Sequence, residues 1–347
     1  MKKALLVLIL LAVIAGAGVA WMLYTRTSEP FKGYEGSEQF VVIEPGSGTR
    51  TIGQRLIDAG VIRDDVTFRA AVWRSGRARS LQAGEFRFDR PMTPIEVIDK
   101  IARGDVYSRR ITFPEGLSIR EMARIYEQQG FGTAAAFVEA AGDPSAIRDI
   151  DSVATDLEGY LFPETYTMRR DTTAAKLVNL MVGRFRQLFT SEMQQAAHAL
   201  ELTPREAVTL ASLVEKETAQ PAERPIVAAV YLNRLKIGMG MQADPTVIYA
   251  LQRAGKYDGN LRREDLSFDS PYNTYRYAGL PPGPIASPGL ASLQAAVAPA
   301  QVDYLYFVSR NDGSHVFART LVEHNENVRE YQVLYFRNQR AKERAGR

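Results

Sequence analysis

The sequence contains no cysteine, which excludes disulfide bridges, thiolate catalysis and zinc sites built on cysteine. It contains only three histidines, His198, His315 and His324, and their spacing matches none of the histidine motifs of zinc enzymes. The glycine-rich motifs of nucleotide-binding proteins and the G-x-S-x-G motif of serine hydrolases are also absent. We therefore predict a protein that uses no cofactor and no metal ion.

The net charge of +3 comes from the C-terminal end of the chain, where residues 337–347 carry five basic side chains and one acid. The rest of the chain is close to neutral and has no basic stripe with interleaved aromatic residues. We predict that the protein does not bind nucleic acid and that residues 337–347 form a basic tail.

The N-terminal segment places two lysines, Lys2 and Lys3, before an uncharged run from Ala4 to Tyr24. At about 1.5 Å per residue this run spans a hydrocarbon core of roughly 30 Å. A cleaved signal peptide is the alternative, because small residues that suit a signal peptidase occur late in the run. The apolar run continues past them through Trp21, which favours an uncleaved anchor. We predict that residues 1–24 are a cytoplasmic stub and a transmembrane anchor, with the remainder outside the cytoplasmic membrane.

A repeated pattern follows residues 25–38, which are polar and are interpreted as a linker. Residues 41–62 and 110–131 match at an offset of 70, and each copy predicts a strand, a glycine-containing turn and a helix closed by glycine. Small carbohydrate-binding modules and generic α+β packing both fit this pattern. We predict a first small α+β domain at residues 39–108.

The remainder of the chain is predicted to be mostly helical. Thr203, Pro204 and Glu206 form a strong helix start signal, and the helix that they begin runs to about Thr218. Residues 304–319 predict a β-hairpin with its turn at Asn-Asp-Gly-Ser. The predicted fold class is therefore α+β, with a transmembrane helix, a small α+β module and a larger, mostly helical domain with a β-hairpin.

Two acids, Glu215 and Glu217, end the helix that starts at Thr203. In one interpretation both are helix-end residues paired with Lys216, Arg224 or Arg234. In the other, one of them is a general acid, because partial burial raises the pKa of a carboxyl group toward the working pH.

Helical geometry gives a slight preference between the two acids. Glu215 lies one turn beyond Ala211 and beside Ser212, whereas Glu217 lies over Leu213. Small neighbours leave room for a substrate, so side-chain size favours Glu215. Because the helix is apolar over most of its circumference, a helical-wheel projection alone does not identify which of the two acids is functional.

Three stretches carry a resemblance to a known family: "EGYLFPETY" at 158–166, "LASLVEKETAQPAERP" at 210–225 and "YNTYRYAGLPPGPIASPG" at 272–289. The chain resembles the MltG (YceG-like) family of membrane-anchored endolytic murein transglycosylases from the anchor to about residue 336. The resemblance implies a LysM-like module at 39–108 and a catalytic domain at 109–336. It also implies that Glu215, the first acid of the E-K-E-T motif, is the catalytic residue.

The resemblance implies a lytic transglycosylase that cleaves the bond between N-acetylmuramic acid and N-acetylglucosamine in nascent peptidoglycan strands, forms 1,6-anhydro ends and limits strand length. Its expected partners are glycan strands, the cytoplasmic membrane and peptidoglycan synthases. Polar and aromatic loop residues are candidates for binding the glycan: Gln242, Thr246, Tyr272, Asn273 and Tyr275.

Two alternatives stay open at this point. A non-catalytic scaffold that binds the cell wall explains the anchor and the repeat but leaves the acids at the end of the helix unexplained. A muramidase that uses water needs two carboxylates, for which Glu158 and Glu164 are further candidates.

Overall fold

The computed structural model describes residues 2–169 and 172–345, which divide into two compact units. The first unit holds residues 2–109 and 167–169, and the second holds residues 110–166 and 172–345. The described chain mixes helices and short strands, is mostly helical and begins with an apolar helix, as predicted. Its strands form three two-stranded sheets among the described residues.

The N-terminal helix α1 spans Lys2–Ser28 and ends four residues beyond the uncharged run. Its segment Leu5–Ser28 is long and apolar enough to cross a membrane, which fits a single-pass anchor. The hydroxyls of Thr25 and Thr27 donate to carbonyls of the preceding turn at 2.9 Å, so the last turn stays helical despite its polar sequence.

The first unit packs strands and helices around an apolar core. Its elements after α1 are β1 Gln39–Ile43, α2 Thr49–Asp58, α3 Asp65–Ser75, β2 Gly84–Phe88 and α4 Pro94–Arg103. Strands β1 and β2 are antiparallel, with Val41 opposite Phe86. Part of the predicted linker is attached to this unit, because Phe31 forms a bridge with Met92 and the Gly33 amide donates to the Gly60 carbonyl at 2.8 Å.

The second unit contains most of the helices. The chain enters it within β3 Ser108–Thr112, which pairs with β4 Thr165–Arg169. Its helices are α5 Ile119–Gln128, α6 Ala134–Ala141, α7 Ala174–Leu188, α8 Ser191–Ala199, α9 Pro204–Glu217, α10 Arg224–Lys236, α11 Asp244–Arg253, α12 Leu290–Val297, α13 Leu321–Val328 and α14 Tyr335–Ala345. Strands β5 Tyr306–Ser309 and β6 His315–Ala318 pair as an antiparallel hairpin, and short 3₁₀ and π-helical turns complete the unit.

The repeated sequence pattern corresponds to repeated backbone geometry. Gly46 and Gly116, which stand at the same place in the two copies, have φ of 81° and 78°, and Gly60 and Gly130 have φ of 67° and 70°. Each of these left-handed positions favours glycine, because a side chain would clash with the backbone. Both copies therefore consist of a strand, a left-handed turn and a helix that ends in a left-handed glycine.

Helix α9 is the buried centre of the second unit. Thr203 and Glu206 form a reciprocal capping box and Pro204 occupies the first turn, so the predicted helix start is confirmed. Every residue from 207 to 214 is buried, and the helix packs against α8, α10, α11 and α12. Such a helix holds the side chains at its C-terminal end rigidly.

Candidate active site

Glu215 lies in the last turn of α9 and has two polar partners. Its Oε1 accepts a hydrogen bond from Arg224 Nη2 at 3.1 Å, and its Oε2 accepts one from the backbone amide of Gly289 at 2.9 Å. Gly289 precedes α12, so the carboxylate faces the positive end of a helix. The side chain is only 6% exposed, and both oxygens are therefore oriented by the protein.

The segment 282–289 reaches Glu215 because it follows one face of α9. Arg205 near the start of the helix donates to the Pro282 carbonyl at 2.7 Å. Two turns later the Ile285 amide donates to Ser212 Oγ at 3.1 Å. These contacts fix the proline-rich segment along the helix, so its end delivers the Gly289 amide to the carboxylate.

Glu115 is a second carboxylate at this place, which the sequence reasoning missed. Its Oε2 lies 3.6 Å from Arg224 Nη2, so one guanidinium faces both Glu115 and Glu215. The Glu115 side chain is 47% exposed, which makes it the open member of the cluster. Burial and the neighbouring charge of Glu215 raise the pKa of Glu115, and Arg224 opposes that rise.

A signal for Glu115 is present in the repeat. At the offset of 70 its counterpart in the first copy is Pro45, and the first copy has its glutamate one position earlier, at Glu44, so the order of proline and glutamate differs between the two turns. The following residue, Gly116, donates its amide to the Ser287 carbonyl at 2.9 Å and accepts from Lys216 Nζ at 3.1 Å. These bonds hold the Glu115 turn against the end of α9.

Glu217 points to a different set of partners. Tyr231 Oη on α10 donates to Glu217 Oε1 at 2.9 Å. Burial raises the pKa of Glu217 to about 7, with the Tyr231 hydrogen bond and the charges of His315 and Arg234 acting in the opposite direction. A pKa near neutrality is what a general acid needs, so Glu217 stays a candidate for that role.

Two predicted glycan ligands have internal partners. Thr246 and Asn273 have no exposed surface. The Thr246 hydroxyl bonds to the Ala243 carbonyl and the Thr274 hydroxyl, while the Asn273 amide bonds to the Leu266 and Phe268 carbonyls. Both side chains hold the loop in this structure, and their role as glycan ligands stays a prediction.

The other three loop candidates reach the surface. Tyr272 is partly exposed, with its ring 5.0 Å from the ring of Tyr249. Tyr275 is exposed and donates its hydroxyl to Asp244 at 2.6 Å. Gln242 is exposed and has a left-handed backbone with φ of 50°. These residues remain available to a ligand.

The two candidate second carboxylates, Glu158 and Glu164, are already paired. Glu158 is buried, and its oxygens accept from the Ile119 amide at 3.0 Å and from Tyr249 Oη at 3.1 Å. Burial raises the pKa of Glu158 to about 8. Glu164 is exposed and forms two hydrogen bonds with Arg184. Both oxygens of each carboxyl are thus engaged by protein donors, and Glu115 is the carboxyl that shares an arginine with Glu215.

Two clefts lie in the second unit, and Lys216 at the end of α9 lines one of them. One, of about 350 Å³, is lined by Lys216, Ile285, Glu121, Pro245, Ile248, Tyr249, Gln252 and Tyr257. The other, of about 320 Å³, includes Glu158 and Arg253 and shares Tyr249 and Gln252 with the first. Aromatic, amide and charged side chains of this kind suit a polar ligand such as a glycan.

The chain is similar to proteins of a known family. The model of the YceG-like family matches residues 41–330. An endolytic murein transglycosylase of Bacillus subtilis (strain 168) is 34% identical over 308 residues, which cover 83% of this chain and 83% of the relative. An endolytic murein transglycosylase of Streptococcus pneumoniae serotype 2 (strain D39 / NCTC 7466) is 29% identical and covers 84% of this chain, which spans 58% of that relative.

A solved structure is also similar. The crystal structure of a yceG-like protein from Listeria monocytogenes is 32% identical, with a TM-score of 0.57, and covers 84% of this chain and 98% of its own. The family match extends over most of the chain and includes the Glu215 segment. The protein belongs to the YceG-like family.

Proposed function

We propose that the protein is an endolytic lytic transglycosylase of peptidoglycan and that Glu215 is its catalytic acid and base. The observation that carries the proposal is the nearly buried Glu215 carboxylate, held by Arg224 and the Gly289 amide at the end of α9, where the adjacent residue Lys216 lines a polar cleft. The relatives named endolytic murein transglycosylases support peptidoglycan as the substrate.

The proposed reaction needs one proton-carrying carboxyl group. Protonated Glu215 donates to the oxygen that links N-acetylmuramic acid to N-acetylglucosamine, and the bond from C1 to that oxygen breaks. The resulting carboxylate takes the proton of the C6 hydroxyl, whose oxygen bonds to C1 and forms the 1,6-anhydro ring. No water is consumed, and Glu215 ends the cycle protonated, as it began.

Arg224 and Gly289 support the second half of this cycle. Both donate to the carboxylate that forms when Glu215 gives up its proton. Glu115 lies 3.6 Å from the same Nη2 atom of Arg224 that donates to Glu215. Arg224 is thus placed to interact with both carboxylates during the reaction.

Sugar binding is assigned to the exposed loop residues near α11. Tyr272 and Tyr275 offer aromatic faces for pyranose rings, and Gln242 offers an amide that can donate and accept. Tyr249, whose ring lies 5.0 Å from that of Tyr272, lines both clefts together with Gln252.

Location follows from α1 and the two lysines that precede its apolar run. We assign α1 as a single-pass anchor in the cytoplasmic membrane with a cytoplasmic N-terminus, so that the catalytic unit faces the cell wall. Residues 39–108 are assigned as a LysM-like glycan-binding module. An enzyme held at the membrane reaches newly made strands, limits their length and has peptidoglycan synthases as candidate partners.

A second candidate function is favoured by Glu115. A glycoside hydrolase that activates water needs two carboxylates. Glu115 and Glu215 are two such groups, and both lie next to Arg224. The two reactions leave different ends: the lyase leaves anhydromuramic ends, whereas the hydrolase leaves reducing ends that are heavier by one water.

Mass spectrometry of the products tests both functions. The full chain in detergent is incubated with uncrosslinked glycan strands, and the new ends are identified. Anhydro ends support the proposal, and reducing ends replace it with the hydrolase. Intact strands refute both reactions and leave the wall-binding scaffold.

A further inference from the structure

Helix α3 of the first unit is attached to the end of the apolar helix α1. Arg26 near the end of α1 donates to Asp64, the cap of α3, at 3.3 Å. Arg74 in the last turn of α3 donates to the Thr27 hydroxyl at 2.9 Å, and its guanidinium lies 4.5 Å from the ring centre of Tyr24. Contacts at both ends of α3 fix its position relative to α1.

The side of α3 next to α1 carries an unusually exposed tryptophan. Trp73 is 86% exposed, and Val66, seven residues earlier on the same side of the helix, is 56% exposed. Trp73 and Ala70 of α3, with Ala20 and Leu23 of α1, line a cavity of about 380 Å³. Large apolar groups left in water are unfavourable and mark an interaction surface.

The depth of this surface follows from the length of α1. The apolar span starts at Leu5, and about 20 residues at 1.5 Å each cross a hydrocarbon core of roughly 30 Å. Ala20 and Leu23 therefore lie in the last turns of the span. Trp73 lines a cavity with these two residues, so it lies at the boundary between lipid chains and headgroups.

The charge around α3 also fits a lipid surface. Residues 63–79 carry five arginines and two aspartates, which gives the region an excess of positive charge. Tryptophan is enriched at the membrane interface, and basic side chains close to it are attracted to anionic phospholipids.

We propose that α3 lies in the headgroup region of the bilayer that α1 spans, with Trp73 inserted among the phospholipids and a lipid chain in the cavity between the two helices. The inference rests on the proposed membrane anchoring by α1. The first unit then binds the membrane through α3 as well as through α1, and the rest of residues 39–108 is held at a fixed height above it.

The chain offers a direct test because it contains only two tryptophans, Trp21 in α1 and Trp73 in α3. The full-length Trp21→Phe variant reports on Trp73, and the matched Trp73→Phe variant reports on the anchor. Both are placed in nanodiscs of phosphatidylcholine and phosphatidylglycerol, with bromine atoms either high or low on the acyl chains. Emission is measured with each lipid and with iodide in the water.

In the Trp21→Phe variant we expect Trp73 to lose about half of its emission with bromines high on the chains, to lose less with low bromines, and to be shielded from iodide. Strong quenching by iodide without quenching by brominated lipid overturns the inference. If Trp21 in the Trp73→Phe variant is not quenched by brominated lipid, the anchoring itself is wrong. Quenching of Trp21 but not of Trp73 by lipid refutes the α3 contact alone.

Discussion

Glu215 and Arg224 form a nearly buried ion pair at the end of α9. Their closest atoms are 3.1 Å apart, and the two side chains are 6% and 10% exposed. Removing one partner of such a buried ion pair destabilises the folded protein, because the other charge stays buried without compensation.

Arg224→Met is therefore expected to lower the free energy of unfolding by about 3 kcal/mol. In a Glu215→Gln background the same substitution costs less, because no buried carboxylate is left alone. Denaturant unfolding of the four variants in detergent measures this cycle. Arg184→Met, which breaks an exposed pair with Glu164, is the matched control and costs less than about 1 kcal/mol. If Arg224→Met lowers the free energy of unfolding equally with and without Glu215→Gln, the two side chains are not energetically coupled.

Glu115→Gln is expected to change the pH dependence of cutting. Burial and the charge of Glu215 raise the pKa of Glu115, so the Glu115 carboxyl takes up a proton above the usual range of a glutamate. The variant lacks this titration, so the acidic limb of kcat/KM is expected to change. Rates on glycan strands between pH 4 and 9 test this. An unchanged limb, equal to that of the exposed control Glu164→Gln, removes Glu115 from the mechanism.

The sequence predicts the start of α9 better than the contacts that surround its end. Local signals at Thr203, Pro204 and Glu206 give the start of α9, because a capping box and an N-terminal proline act within one turn. Gly289 is 74 residues away from Glu215, and Gly116 is 100 residues away from Lys216. Contacts over such separations depend on how the helices pack, which periodicity does not encode.

The same limit explains why the burial of two predicted glycan ligands does not follow from the sequence. Thr246 and Asn273 are polar residues in loop-like sequence, where exposure is the usual expectation. The Thr246 hydroxyl is instead buried against that of Thr274, 28 residues later. Asn273 is buried because its amide binds two carbonyls of the preceding turn. Local sequence predicts the loop, but not which of its polar side chains hold it together.

Glu158 is expected to make stability depend on pH. Burial raises its folded-state pKa to about 8, above the ordinary value of 4.5, so the folded protein holds the proton more tightly than the unfolded chain. Stability therefore falls as the pH rises from 4.5 to about 8 and changes no further above that. Thermal unfolding of wild type and Glu158→Gln across this range tests the effect. Across this pH range the free energy of unfolding of the wild type should fall by a few kcal/mol relative to that of the variant. If the stability of both proteins changes with pH in the same way, the prediction is wrong.

Tyr272 and Thr246 are expected to separate binding from folding. Tyr272→Leu removes an aromatic face worth about 1 kcal/mol, so KM rises about fivefold while kcat stays the same. Thr246→Val removes only internal hydrogen bonds, so it lowers the melting temperature and leaves KM unchanged. Steady-state rates with soluble glycan strands measure both. A changed KM in Thr246→Val would instead support Thr246 as a glycan ligand.

The central assignment rests on which acid at the end of α9 carries the proton. The cutting rate of the full chain on glycan strands, compared between Glu215→Gln and Glu217→Gln, decides it most directly. We predict that Glu215→Gln lowers the rate by about a thousandfold, whereas Glu217→Gln keeps most of it and loses only the hydrogen bond to Tyr231. Cutting at the wild-type rate by Glu215→Gln, with loss only in Glu217→Gln, contradicts the assignment.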